Sequence, residues 1–286
     1  MNNEDRYSRT PSVRQKWFMA NWKCPEYSED QLRLFVVVSG AYQWYVPMWR
    51  YCASRAYPEA ELAVIWHGSG DSPTPDPEAQ ELSAVSFNQI DSSIPVSGPS
   101  TACLRFLIDP STITGSDCKY TLITDVDVLH RREEPDLIKQ HLSNMAQNDL
   151  GAYSNYIHNQ GEHLPRMQGV HFATQAWWKA TAEERKIWTE SLTDVPPCDP
   201  NQDEYMLASI AINSGLKTST GLNLWQTHGI HLGSSRGKQR PHPMMCDDMT
   251  QWRELYNDVG FMNLARECAK HSTDIDKIFR LLKRLL

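Results

Sequence analysis

Apolar positions along the chain fall into short, nearly continuous runs, separated by stretches of helical periodicity. Arg33-Leu-Phe-Val-Val-Val-Ser-Gly40 and Glu61-Leu-Ala-Val-Ile-Trp-His67 are such runs, of the kind found in strands covered on both faces of a parallel sheet. Between them Tyr42, Trp44 and Tyr45 lead into Met48, Trp49, Cys52 and Ala56, a spacing that predicts a helix ending near Pro58. This β-α-β opening puts a loop at the C-terminal end of a strand, where open α/β sheets bind ligands. Gly68 to Pro99, with Asp71-Ser-Pro-Thr-Pro-Asp-Pro77, reads as a loop or short insertion. Ser100 to Ile108 reads as a helix capped near Pro99-Ser100. Tyr120-Thr-Leu-Ile-Thr-Asp-Val-Asp-Val-Leu-His130 is a further buried strand that ends in two carboxylates.

The second half continues the alternation. Glu134 to Leu142 predicts a helix with Pro135 near its first position, and Leu150 to Ile157 a strand. A loop from 158 leads into Val170-His-Phe-Ala173, and one helix is expected over Gln175 to Leu192. Asn201-Gln-Asp-Glu starts another, with acids in its first turn. At the C-terminus Ile278, Leu281, Leu282 and Leu285 share one side of an amphipathic helix. Lys277, Arg280, Lys283 and Arg284 make its basic face. Docking on the protein's own core is the expected use of the apolar side, and peripheral contact with an anionic membrane the alternative. The pattern divides the chain into an N-terminal extension (1–30), an α/β domain (31–240) and a helical C-terminal extension (241–286).

Composition narrows the class. Thirty-five acids against 28 Lys and Arg give a net charge of −7, which argues against broad nucleic-acid binding. Seven scattered cysteines with no C-x-x-C point to free thiols in a reducing, cytoplasmic compartment and not to a disulfide frame or zinc knuckle. No apolar run approaches the roughly 18 residues of a membrane span.

The candidate chemistry centres on Asp125 and Asp127. If strand geometry ran through both, they would share one face, and two close carboxylates require a counter-ion, a shared proton or water. A hard divalent cation, Mn²⁺ or Mg²⁺, supplies that charge and keeps positions open for substrate phosphates. Arg105, flanked by Leu104, Phe106 and Leu107, is a partly buried cation in need of an anion. Tyr42 either stacks on a nucleotide base or packs the first helix. Asp203 and Glu204 are either helix-dipole partners or acids at a site. His228 and His231 lie in a Gly-rich stretch that continues into Arg236 and Lys238, a context that suits a pyrophosphate.

Taken in order, Arg105, the strand ending Asp125-x-Asp127, Gly169-Val-His-Phe, Asn201-Gln-Asp-Glu and the late His-x-Gly with Arg and Lys resemble a family. It is that of nucleotide-sugar glycosyltransferases of the GT-A fold, nearest the glycogenin-like and lipopolysaccharide galactosyl- and glucosyltransferase group. The likeness spans about residues 33–238 and implies that the 31–240 domain has a nucleotide-sugar half over about 31–130 and an acceptor half over about 131–240. It implies a single α/β domain with a mostly parallel central sheet flanked by helices, and a metal-dependent transfer from a UDP-sugar to a glycan or other acceptor, with retention. On this resemblance Asp127 ligates the metal, and Asp125 meets the metal or the ribose. His231 is the third ligand, with His228 its rival. Arg105 approaches the nucleotide or holds the aspartates, and Arg236 and Lys238 face the pyrophosphate. Gln202 and Asp203 match a segment near the donor sugar and acceptor, and Asp203 or Glu204 positions the acceptor or serves as base. Asn201 replaces the family's first Asp of that segment, and a Lys-Pro-Trp ending is missing at its usual spacing.

Two other classes remain in view. A haloacid-dehalogenase-like phosphatase also uses D-x-D after a strand, with Asp247-Asp248 as a late acidic pair. Its motif, however, usually has Thr or Val where Leu129 stands, and lies nearer the N-terminus. A non-catalytic GT-A-like binding protein is the third reading, and the complete Asp125, Asp127 and His231 set weighs against it.

Overall fold

The structure, a computed structural model, describes residues 22–68, 85–90, 94–158, 165–195, 197, 201–219, 228–232 and 249–285. Ten strands occur among them. These are β1 (Leu32–Val38), β2 (Glu61–His67), β3 (Val85–Ile90), β4 (Tyr120–Ile123), β5 (Val128–His130), β6 (Tyr153–Ser154), β7 (Ile157–His158), β8 (Arg166–Met167), β9 (His171–Thr174) and β10 (Gly229–His231). Six form the central sheet in the order β3-β2-β1-β4-β9-β6. β1 pairs in parallel with β2 and β4, β2 pairs in parallel with β3, and β9 runs antiparallel to β4 and β6. The fold class is therefore α/β with a mostly parallel sheet, as the unbroken apolar runs require.

The helices are α1 (Val46–Ala56), α2 (Gly98–Leu107), α3 (Ser111–Thr114), α4 (Leu137–Asn148), α5 (Gln175–Ala180), α6 (Ala182–Asp194), α7 (Gln202–Asn213), α8 (Met249–Asn257), α9 (Val259–His271) and α10 (Thr273–Leu285). They cover both faces of the sheet. Leu34, Val36 and Val38 of β1 join Met48 and Trp49 of α1 in one apolar cluster, whereas Phe35 joins Leu104 of α2 and Met206 of α7 in the other. This alternation is the period-2 pleat of a strand buried on both sides.

The C-terminal helices belong to the first of these clusters. Trp252, Phe261, Met262, Ala265, Ile275 and Ile278 are buried there. Ile278 thus docks on the core, while the side chains of Leu281, Leu282 and Leu285 lie outside the described residues. No helix among the described residues is long and apolar enough to cross a membrane.

Several local expectations change. The stretch read as loop from Gly68 to Pro99 contributes an edge strand, β3, whose Val85-Ser-Phe-Asn-Gln-Ile text pairs with β2. Its polar alternate residues and the surrounding Pro and Ser concealed it. α2 starts at Gly98, two residues early, because the Ser97 side chain accepts the Ser100 N–H. Asp136, not Pro135, sets the start of α4: its carboxylate accepts the Lys139 N–H, so Pro135 precedes the helix. The helix expected over 175–192 is two, α5 and α6, divided at Thr181. The strand expected over 150–157 is the two short pieces β6 and β7.

Candidate active site

β2 lies on one side of β1 and β4 on the other, so the chain order reverses beside β1. The crevice beyond the C-terminal ends of β1 and β4 is such a reversal point, where α/β sheets take their ligands. It holds a cleft of about 290 Å³ whose walls include Val38, Ser39, Tyr42, Thr101, Arg105 and Asp125.

β4 stops at Ile123, so Asp125 and Asp127 do not continue it. They sit in a tight turn closed by the Val128 N–H on the Asp125 carbonyl, at 3.1 Å. The shared face expected of a continued strand is replaced by two different environments. Asp125 is partly exposed, with 39% of its side chain accessible, whereas Asp127 is 2% exposed. The chain then enters β5, which pairs antiparallel with β10 and sets His231 opposite Val128. The Leu232 N–H donates to the Asp127 carbonyl at 2.8 Å, which fixes the end of that ladder beside the turn. Gly229 permits the pairing, because a Cβ there would lie 2.1 Å from the Leu129 carbonyl oxygen.

His231 Nε2 lies 3.3 Å from Asp127 Oδ1 and 4.0 Å from Asp125 Oδ2, and ligand atoms of all three residues fall within 4.8 Å of one another. Two ligands about 2.1 Å from a common ion stand about 3 Å apart at right angles and about 4 Å apart across it. Two carboxylates and an imidazole at these separations fit a divalent cation of the Mg²⁺ or Mn²⁺ kind. His228 takes no part in the cluster. It is buried, with Nδ1 2.8 Å from Glu133 and Nε2 2.9 Å from His141 Nε2, and it adopts a left-handed backbone (φ 49°). Its neighbour rings stay neutral: burial, then His228, holds His130 down to about 4 and His141 well below the ordinary histidine value.

Arg105 ties the aspartate turn to α7. Its Nη1 pairs with Asp125, and its Nη2 donates to Asp203 Oδ2 at 2.6 Å. Burial alone would lower its pKa, but the two carboxylates more than offset this and hold it above the usual arginine value. Asp203 is 6% exposed, so the reading of it as a plain helix-dipole partner is incomplete. Gly169 makes room for the guanidinium, since a Cβ at 169 would stand 2.7 Å from Arg105 Nη2.

Gln202 opens α7, and Glu204 sits in its first turn, 3.7 Å from Arg166. Burial first, then Asp203, lifts the Glu204 carboxyl to about 7, against the pull of Arg166 and Arg105. Tyr42 is 39% exposed and walls the cleft, though it also packs obliquely on Tyr45, so neither sequence alternative excludes the other. Arg236, Lys238 and the Asp247-Asp248 pair lie outside the described residues. Leu129, at the position where a phosphatase motif has Thr or Val, is fully buried in the core. Sequence reasoning missed the Arg166–Glu204 pair and the contribution of Ser39 and Thr101 to the cleft. The only available signal for Ser39 was its place just after the apolar run of β1.

No family model matches the chain, and no curated protein matches it. Among solved structures it is similar to the galactosyltransferase LgtC in complex with donor and acceptor sugar analogs, at 14% identity and a TM-score of 0.40, covering 82% of this chain and 95% of that one. An active-site mutant of LgtC gives 16% identity and a TM-score of 0.38, over 66% of this chain and 71% of that one. A candidate nucleotide-diphospho-sugar transferase from Desulfovibrio desulfuricans G20 gives 10% and 0.37, over 82% and 98%. At these values the functional reading rests on the residues themselves.

Proposed function

We propose that the protein is a metal-dependent glycosyltransferase of GT-A type, which moves a sugar from a UDP-sugar to a hydroxyl of a glycan or other acceptor. The observation that carries this reading is the convergence of Asp125, Asp127 and His231 at the mouth of the β1/β4 crevice, beside the cleft walled by Tyr42 and Arg105. A divalent ion, Mn²⁺ for preference, would be held by these three residues and would neutralise the charge that develops on a departing diphosphate.

The chain's own groups do the rest. Tyr42 offers an aromatic face to the base of the donor. Arg105 fixes Asp125 at the cleft and Asp203 at the start of α7, so donor and acceptor sides keep one geometry. Arg236 and Lys238 are assigned to the pyrophosphate on sequence alone. Gln202 and Asp203 lie against the donor sugar. Glu204, with a carboxyl that titrates near neutrality, takes the proton of the acceptor hydroxyl. Retention of configuration follows from the family resemblance.

The test is a thermal-shift titration with UDP, GDP and CMP, each with and without Mn²⁺. UDP should raise the melting temperature only with metal, in the wild type and not in Asp127→Asn. A hundredfold excess over Kd stabilises by about 2.7 kcal/mol, well within detection. If no nucleotide moves the curve under any condition, the reading is abandoned.

A further inference from the structure

His231 reaches the aspartates from a strand of only three residues, so its place depends on what holds that strand. β10 pairs with β5 in the register Gly229↔His130, Ile230↔Leu129 and His231↔Val128. A slip of one residue would turn His231 to the other face, and a slip of two would carry it about 7 Å along β5. Either removes it from Asp127, whose Oδ1 now lies 3.3 Å from its Nε2. Gly229 permits the close pairing but adds no attraction of its own. Ile230 and Leu232 are fully buried, yet they stand two apart and are alike in volume and character. Apolar packing alone therefore discriminates weakly against a two-residue slip.

His228 supplies the discrimination. Its buried ring is clamped from two sides, with Nδ1 2.8 Å from Glu133 in the β5–α4 connection and Nε2 2.9 Å from His141 Nε2 in α4. A carboxylate accepts, so Nδ1 carries a hydrogen and donates it. Glu133 is itself held by Gln140, whose Nε2 donates to the same oxygen at 2.7 Å. The His228 carbonyl accepts from the Arg131 N–H at 3.2 Å, which ties the start of β10 to the end of β5. Its backbone is left-handed, at φ 49°, a conformation that persists in a non-glycine residue where the surroundings hold it. An isoleucine slipped into this place would leave Glu133 and His141 without their bonds to the ring, and as a β-branched residue it would strain at that φ.

From the two-sided clamp and the left-handed backbone we infer that His228, with Glu133 and His141, positions the metal-site residue His231. The three act through the start of β10 and stand outside the Asp125, Asp127 and His231 cluster. The inference rests on the metal reading above for what His231 holds, whereas the seating of β10 can be measured without metal.

The test combines Mn²⁺ binding, followed by the paramagnetic resonance of the free ion, with amide hydrogen exchange of the metal-free protein. His228→Asn keeps a residue that tolerates the left-handed backbone but is too short to reach both partners. Glu133→Ala removes one side of the clamp at a position whose side chain is 32% exposed. Each should raise the Kd for Mn²⁺ about tenfold or more. Each should also speed exchange of the Leu232 N–H, which donates to the Asp127 carbonyl, about tenfold or more. Exchange in the central sheet should stay near the wild-type rate. Glu133→Gln, whose amide oxygen still accepts from the ring, should keep both properties. The inference is overturned if Leu232 exchange is unchanged in both variants, or if they bind Mn²⁺ with the wild-type Kd. It is equally overturned if protection falls evenly across the chain, which would mark a general structural role. A wild type that binds no Mn²⁺ ends the metal reading, and faster Leu232 exchange in both variants would still support the positioning of His231.

Discussion

Glu204→Gln separates the cost of the proposed base from its use. In the folded chain the Glu204 carboxyl is lifted from 4.5 to about 7, chiefly by burial, with the neighbouring Asp203 adding to the effect. A raised carboxylate pKa means that the folded state binds a proton the unfolded chain has already released between pH 4.5 and 7. Stability therefore falls as pH rises through that window and levels off above it. The shift of about 2.5 units, at 1.36 kcal/mol each, corresponds to about 3 kcal/mol at full deprotonation. Glutamine keeps the shape and removes the charge, so the variant escapes this loss. It gives up the attraction of Arg166, at 3.7 Å, and of Arg105, both of which the net shift already includes. Urea unfolding of both proteins at intervals from pH 4.5 to 8.5 is the assay. The two curves should nearly coincide at the acid end, diverge between pH 4.5 and about 7, and run parallel above that, leaving Glu204→Gln the more stable by about 2–3 kcal/mol at pH 8.5. Parallel curves, or a wild type that gains on the variant as pH rises, would refute the burial argument. If Glu204 also accepts the acceptor's proton, wild-type turnover rises with a midpoint near 7, where the stability difference is already levelling off, and the variant loses about 10²–10⁴ in rate.

Arg105→Met leaves Asp203 buried and unpaired, and should cost about 3–5 kcal/mol in urea unfolding. Adding Asp203→Asn should restore part of it, and a purely additive double variant would refute the coupling. Gly169→Ala forces the guanidinium off its site, and should lower turnover more than it lowers stability, the latter by about 1–2 kcal/mol; an unchanged rate would show that Arg105 placement is immaterial. Asp127→Asn relieves carboxylate crowding, so in EDTA it should melt at or above the wild type, while added Mn²⁺ should stabilise only the wild type.

What could be read from residue order alone was whatever depends on near neighbours. The unbroken apolar text of Leu32–Val38 and Glu61–His67 specified strands buried on two faces, and so an α/β sheet, because pleat and burial are local periodicities. The Asp125-x-Asp127 pair could be marked as chemistry because two carboxylates so close are costly wherever the chain puts them. Strand β3 was missed because Val85-Ser-Phe-Asn-Gln-Ile mixes polar with apolar positions inside Pro- and Ser-rich text, so no clear period marks it, and its pairing with β2 is a contact outside that window.

Other features were decided only in three dimensions. His228 and His231 differ by three residues and sit in similar text, yet the β5–β10 register sends His231 to the aspartates, while His228 meets Glu133 and His141. The bond from Arg105 to Asp203 joins positions 98 residues apart. Burial, which raises Glu204 and holds His130 neutral, depends on every element packed around them. Pairing across the sheet and removal from water are properties of the assembled chain, and no local window of sequence contains them.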